Sequence, residues 1–229
     1  MGIFNHEKKE KINYLNDLIS IIVPIYNAKD TLERCLKSLI SQSYKNIEII
    51  CIDDASTDAS SLLLEAFATK DKRIKIIKNK ENKGVAYCRN TGLKAALGEY
   101  IMWCDSDDWY EKDMCKEMYL AITENNADLV NCSQNVIKDN SLKYRLLLEK
   151  YCNWNLVCHN VCVEKIDDIY HIINRVLWNK IFKKSLLDKY NIEFPLINNS
   201  EDCSFVLKYV SVCKKIYFLD KKFYIIFIK

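Results

Sequence analysis

The sequence predicts an α/β protein: a Rossmann-like, mainly parallel sheet flanked by helices, with a less regular α+β C-terminal third. Three observations predict it. From Leu18 to about Asn131, short apolar runs alternate with segments of helical period. The connections between them are short, as in successive β-α-β units. Several of the runs are apolar without alternation, the pattern of strands covered on both faces.

The elements follow in order. LISIIV (Leu18–Val23) is the first strand, and Pro24 ends it. DTLERCLKSLISQ places Leu32, Cys35, Leu36, Leu39 and Ile40 on one helical face, with Asp30 as the expected cap and Glu33 three residues on. IEIICID (Ile47–Asp53) is the second strand, and STDASSLLLEAFA is a capped helix. IKII (Ile74–Ile77), a helix from Val85 to Leu97 and the strand EYIMWCD complete the regular part. After Asn131 the alternation weakens. IDDIYHIINRVLWNKIFKKSLLDKY reads as helix, FPLINNS as loop and EDCSFVLKYVSVC as a helix with Ser200 as its cap. KIYFL and KFYIIFI read as two closing strands. One domain is expected over residues 18–229, behind a polar leader at residues 1–17.

Composition excludes several classes. A formal charge of +3 gives no electrostatic footprint for nucleic acid. The eleven cysteines are odd in number and irregular in spacing, and Cys51 and Cys104 sit inside apolar runs. No apolar signal core opens the chain, so free thiols in a reducing cytoplasm are expected. The opening Met-Gly has His6 where a myristoylation signal needs Ser or Thr. No stretch approaches the roughly 20 apolar residues of a membrane span. CNWNLVCHNVC, with Cys152, Cys158, His159 and Cys162, matches no common zinc spacing. The three histidines, His6, His159 and His171, do not follow strand ends, which disfavours histidine catalysis. No dinucleotide or phosphate-loop glycine pattern follows the first strand.

The stretch YIMWCDSDDWY carries the functional signal. An apolar strand ends in Asp105, Asp107 and Asp108, a cluster that repels itself and is costly to desolvate. Oxygen-only ligands at this spacing suit Mg²⁺ or Mn²⁺, which also keep water and substrate phosphates. Taken alone, DSDD equally suits a solvated turn with acids before the helix EKDMCKEMYLA. The other strand ends favour a site. Tyr26, Asp53 and Asp54 also follow strand carboxyl ends, where ligands of such sheets bind. Tyr26 offers a flat face to a nucleobase, and a carboxylate at Asp54 can accept a base N–H.

ISIIVPIYNAKDTLERCLKSLISQSYKNIEIICIDDASTD and NKGVAYCRNTGLKAALGEYIMWCDSDD together resemble the donor half of family 2 glycosyltransferases of the GT-A fold. The resemblance is dense over about residues 18–115 and resumes at WNKIFKKSLL and SEDCSFVLKYV. It implies a nucleotide-sugar-binding half over 18–131 and an acceptor-binding half over 132–229. Pro24, Tyr26 and Asp54 would hold the base, usually uracil, with Asp53 just before that contact. Arg89 would lie near the nucleotide, Asp105 and Ser106 at the ribose or donor sugar, and Asp107, with Asp105, at a Mn²⁺ or Mg²⁺ ion. Asp202 would be the general base, supported by Glu201. The implied reaction is inverting transfer from a UDP-sugar to a glycan or lipid-linked acceptor in bacterial surface polysaccharide synthesis, in the cytoplasm beside the membrane. Lys214-Lys215 and Lys221-Lys222 are candidates for contact with anionic headgroups. Family members commonly continue past a segment like KFYIIFIK, and Ala55 stands where glycine is common. A nucleotide-sugar-binding or scaffold protein without catalysis is the alternative.

Overall fold

The computed structural model describes residues 17–138, 161–163, 173–197 and 199–228. The strand β1 (Ile19–Ile25) lies between β2 (Ile47–Asp53) and β4 (Tyr100–Trp103), with β3 (Ile74–Lys78) beyond β2; all four are parallel. From β4 the sheet continues through antiparallel β8 (Lys180–Lys183) to β6 (Leu129–Lys138) and β9 (Ile216–Ile228), and ends at β5 (Trp109–Tyr110). The strand β7 (Val161–Val163) pairs with the start of β9.

The apolar runs are continuous because they feed two cores. Ile19, Ile21 and Val23 face a layer with the helices α1 (Leu32–Ile40), α2 (Ser60–Lys70) and α4 (Met114–Glu124). Ile22, Ile50, Ile52, Ile101 and Trp103 face the opposite layer, with α3 (Val85–Ala95), α5 (Lys184–Lys189) and α6 (Glu201–Val210). Gly92 lets α3 lie close on the sheet: a Cβ there would stand 2.4 Å from Ile22 Cγ2.

Four expectations differ. Thr31, not Asp30, begins α1, because the Ala28 carbonyl already accepts the N–H groups of Thr31 and Leu32 and leaves Asp30 exposed in the turn. Ser200 makes no side-chain cap; it adopts a left-handed conformation (φ +64°) and its carbonyl accepts the Ser204 N–H. Within the expected helix around WNKIFKKSLL, Lys180–Lys183 is a strand and only Lys184–Lys189 is helical. Pairing on both sides, with Ile181 and Phe182 fully buried, overrides helical propensity there. KIYFL and KFYIIFI form one strand rather than two. The polar Asp220 and Lys221 between them are absorbed as a register shift against β6, where Cys132 pairs with Leu219 but Ser133 with Lys222. Cys152, Cys158, His159 and the leader through residue 16 lie outside the described residues. Among the described residues, no helix is long and apolar enough to cross a membrane.

Candidate active site at the strand carboxyl ends

A cleft of about 660 Å³ opens beyond β1, β2 and β4, lined by Pro24, Tyr26, Asp54, Asp105, Ser106 and Asp107 among others. Tyr26 is half exposed and offers its ring at the rim. Asp54 is buried, and its carboxylate accepts the N–H groups of Lys83 (2.9 Å) and Gly84 (2.8 Å) and the side-chain amide of Asn79 (2.6 Å). These bonds fasten the segment that follows β3 along one wall, with Gly84 at φ +85° opening α3. The Lys83 N–H is shared between both oxygens (2.9 and 3.1 Å), so the chain itself engages all four acceptor positions, and an incoming N–H would share or displace one of these bonds. Asp53 does not line the cleft. It is buried behind it, and its Oδ1 accepts the Ser56 N–H at 3.0 Å, which shapes the turn.

Arg89 joins the two sides of the site. Its Nη1 donates to Glu201 Oε1 at 2.6 Å and its Nη2 to Asp105 Oδ1 at 3.3 Å, while its Nε is buried with no partner among the described residues. The neighbouring Asn90 exchanges two bonds with the Phe194 backbone (2.9 and 2.8 Å), and the Phe194 ring stacks on Phe205 at 4.0 Å. The α3 pair Arg89-Asn90 thus fixes both the loop before α6 and the first turn of α6. Asp202, beside Glu201, accepts the Cys203 N–H at 2.7 Å. Burial raises its carboxyl above the usual range; the Cys203 N–H and Arg89 oppose this, and Glu201 and Asp105 add to it.

The acidic tip is built as a turn. The Asp108 N–H donates to the Asp105 carbonyl at 3.1 Å. Asp108 faces inward, and its Oδ2 accepts the Tyr224 hydroxyl at 2.8 Å; the same hydroxyl accepts the Asp105 N–H at 3.2 Å. Arg34 from α1 donates to the Asp107 carbonyl at 2.8 Å, with its guanidinium over the Trp109 ring at 3.9 Å. Of the three acids, one is structural and two face the cleft. Among the described residues, no three His, Cys, Asp or Glu side chains could enclose a metal ion alone. Asp105 and Asp107 supply an oxygen-only partial set that fits a hard cation completed by phosphate and water. Trp103 is core, Trp109 lies under Arg34, and Trp178 stacks on Tyr224 at 4.6 Å. Lys221 is engaged with Glu117 at 2.6 Å.

Sequence reasoning missed Arg34, Asn79, Asn90 and Tyr224. NKGVA and CRNTG marked the neighbourhood of two of them. Arg34 read only as the polar face of a helix, and Tyr224 only as one aromatic in an apolar strand.

The family model described as Glycosyl transferase family 2 matches residues 20–194. Glycosyltransferase GlyA of Streptococcus pneumoniae is 33% identical over 216 residues, which cover 92% of this chain and 30% of the relative. The crystal structure of S. aureus TarS 1-349 in complex with UDP superposes with a TM-score of 0.79 at 25% identity, over 92% of this chain and 60% of that one; a UDP-GlcNAc complex of the same protein aligns equally well. The mannosyltransferase PcManGT of Pyrobaculum calidifontis, in complex with GDP-Man and Mn²⁺, shares the fold at 18% identity with a TM-score of 0.69, over 91% of this chain and 56% of its own. The chain spans less than two thirds of the length of each, and its fold is GT-A.

Proposed function

The chain belongs to glycosyl transferase family 2, and on that premise we propose that it transfers a sugar with inversion from a UDP-linked donor to a hydroxyl of a glycan or lipid-linked acceptor in surface polysaccharide synthesis. The observation that carries this reading is the Arg89 clasp. It draws the first turn of α6, and with it Asp202, to the same strand end as Asp105. Donor-side and acceptor-side carboxylates are thereby neighbours, as a single in-line displacement needs.

Tyr26 and Asp54 receive the base, and Asp105 and Ser106 the ribose or sugar. Asp105 and Asp107 hold Mn²⁺ or Mg²⁺, which when bound supplies positive charge against the diphosphate leaving group. Asp202 accepts the proton of the attacking hydroxyl, and its raised carboxyl suits that task. Arg89 and Glu201 hold Asp202 in place. The UDP and UDP-GlcNAc complexes of TarS support a UDP-linked donor, and the Mn²⁺ of PcManGT supports the cation. The reaction is placed on the cytoplasmic side, at the inner face of the membrane for a lipid-linked acceptor.

Calorimetric titration of UDP with Mn²⁺ and again with EDTA tests the reading. Metal-dependent binding, followed by UDP release from UDP-GlcNAc or another UDP-sugar with acceptor, is expected. Absence of binding in both buffers refutes it. Binding without turnover on any acceptor would favour the catalytically silent alternative.

A further inference from the structure

We propose that Tyr224, at the opposite end of the chain from the donor-side motifs, is a positioning residue that sets the affinity of the acidic turn for a cation-bound nucleotide. The inference rests on the function proposed above and concerns how the turn is held.

The ring of Tyr224 is fully buried, stacked on Trp178 at 4.6 Å and edge-on to Tyr110 at 5.6 Å. Its hydroxyl is fixed in direction because it has two jobs. It accepts the Asp105 N–H and donates to Asp108 Oδ2, spanning the turn from its first residue to its last. Asp108 is thereby kept inside. A turn of three carboxylates in four residues has several ways to present two of them, and mutual repulsion favours splaying them apart. With Asp108 held by the tyrosine and the Asp107 carbonyl held by Arg34, the turn presents Asp105, Ser106 and Asp107 to the cleft. The donor side is in this way completed by β9. Trp178 and Asn179 belong to the same support: Trp178 backs the tyrosine ring, and Asn179 donates to the Cys132 carbonyl at 2.7 Å on β6, the strand paired with β9.

The consequence differs from that of an ordinary buried hydroxyl. Tyr209 provides the comparison, because it is equally buried and its hydroxyl also accepts a backbone N–H (Lys183, 2.9 Å) and donates to an oxygen (the Asp128 carbonyl, 2.8 Å), but it touches no part of the acidic turn. Loss of either hydroxyl costs stability, the more at Tyr224, whose acceptor is a buried carboxylate. Only the loss at Tyr224 frees the turn.

The test compares wild type, Tyr224→Phe and Tyr209→Phe by titration of UDP with Mn²⁺ and with EDTA, alongside thermal melting. Tyr224→Phe is expected to weaken Mn²⁺-dependent UDP binding about tenfold, the size of one well-placed hydrogen bond, and to leave binding in EDTA unchanged. Tyr209→Phe is expected to melt earlier than wild type and to bind UDP as wild type in both buffers. Wild-type affinity in Tyr224→Phe, or equal weakening by the two variants, overturns the inference and leaves the proposed function standing. Failure of wild type itself to bind UDP removes the proposed function and the inference together.

Discussion

Removal of Arg89 is the perturbation with the largest consequence that can be worked from the structure. Its side chain is 8% exposed, the Glu201 side chain 11%, and their charged atoms meet at 2.6 Å. Two unit charges about 4 Å apart attract by about 4 kcal/mol at an effective dielectric constant near 20. Removing one partner of such a pair costs about 3–5 kcal/mol, because the other charge stays buried without compensation. Arg89→Met is therefore expected to destabilise the fold by about 3–5 kcal/mol, a fall of roughly 6–20 °C in Tm at this chain length. Glu201→Met should cost less, since Arg89 keeps Asp105 as a second partner at 3.3 Å. Arg89→Met/Glu201→Met should recover a large part of the loss, because a buried pair exchanged for apolar side chains is close to neutral. Urea unfolding of the four proteins gives the coupling energy, provided the m-values agree. Additivity of the two single changes to within about 0.5 kcal/mol would refute the clasp as the link between α3 and α6.

Asp202→Asn is expected to lower turnover by about 10²–10⁴-fold and to leave Mn²⁺-dependent UDP binding intact; loss of both in parallel would contradict the division between donor and acceptor carboxylates. The same variant has a pH signature. Burial raises the Asp202 carboxyl, so its contribution to stability is complete below the usual carboxyl range and is lost as pH rises through the raised value. Asp202→Asn should thus melt slightly higher than wild type at neutral pH, with the advantage gone in acid. Ala55 sits at φ +58°, a left-handed conformation that costs an L-residue with a Cβ about 1–2 kcal/mol, and Ala55→Gly should stabilise by about 1 kcal/mol in a thermal melt. Gly92→Ala drives a Cβ to within 2.4 Å of Ile22 and 2.9 Å of Ile52, so it should destabilise by about 1–3 kcal/mol and lower turnover as α3 carries Arg89 away from Asp105. Unchanged melting of Gly92→Ala would show that α3 can lift without cost.

The parallel core was legible because its signals are local. Strands β1, β2 and β4 are covered on both faces, and so read as unbroken apolar runs. The convergence of Tyr26, Asp54 and Asp107 follows from one topological rule about strand ends. What was not legible is set by pairing across distance. Nothing in KIFK distinguishes a central strand from a helical turn until β4 and β6 flank it. Asp53 and Asp54 are adjacent and chemically identical, yet one shapes a turn and the other lines the cleft, a difference of pleat that the sequence shows only once the strand's register is known. Arg89 is expected near the nucleotide; the structure pairs it with Asp105 at the acidic strand end and with Glu201, a partner 112 residues away that no periodicity could indicate.

The acidic tip of β4 gains its stability from segments that are distant in sequence. Asp105 is paired by Arg89 of α3, the Asp107 carbonyl is held by Arg34 of α1, and Asp108 is turned inward onto Tyr224 of β9. Each support is buried or stacked. A solvated turn ahead of α4 would need none of them, because water alone screens exposed carboxylates. Inward anchoring of one acid leaves two others facing the cleft, where the proposed function has them receive a cation. It also makes β9 a condition of the donor side. Tyr224 of β9 and Glu201 in the first turn of α6 thus support the donor-side carboxylates from the C-terminal part of the chain, one through the turn and the other through Arg89.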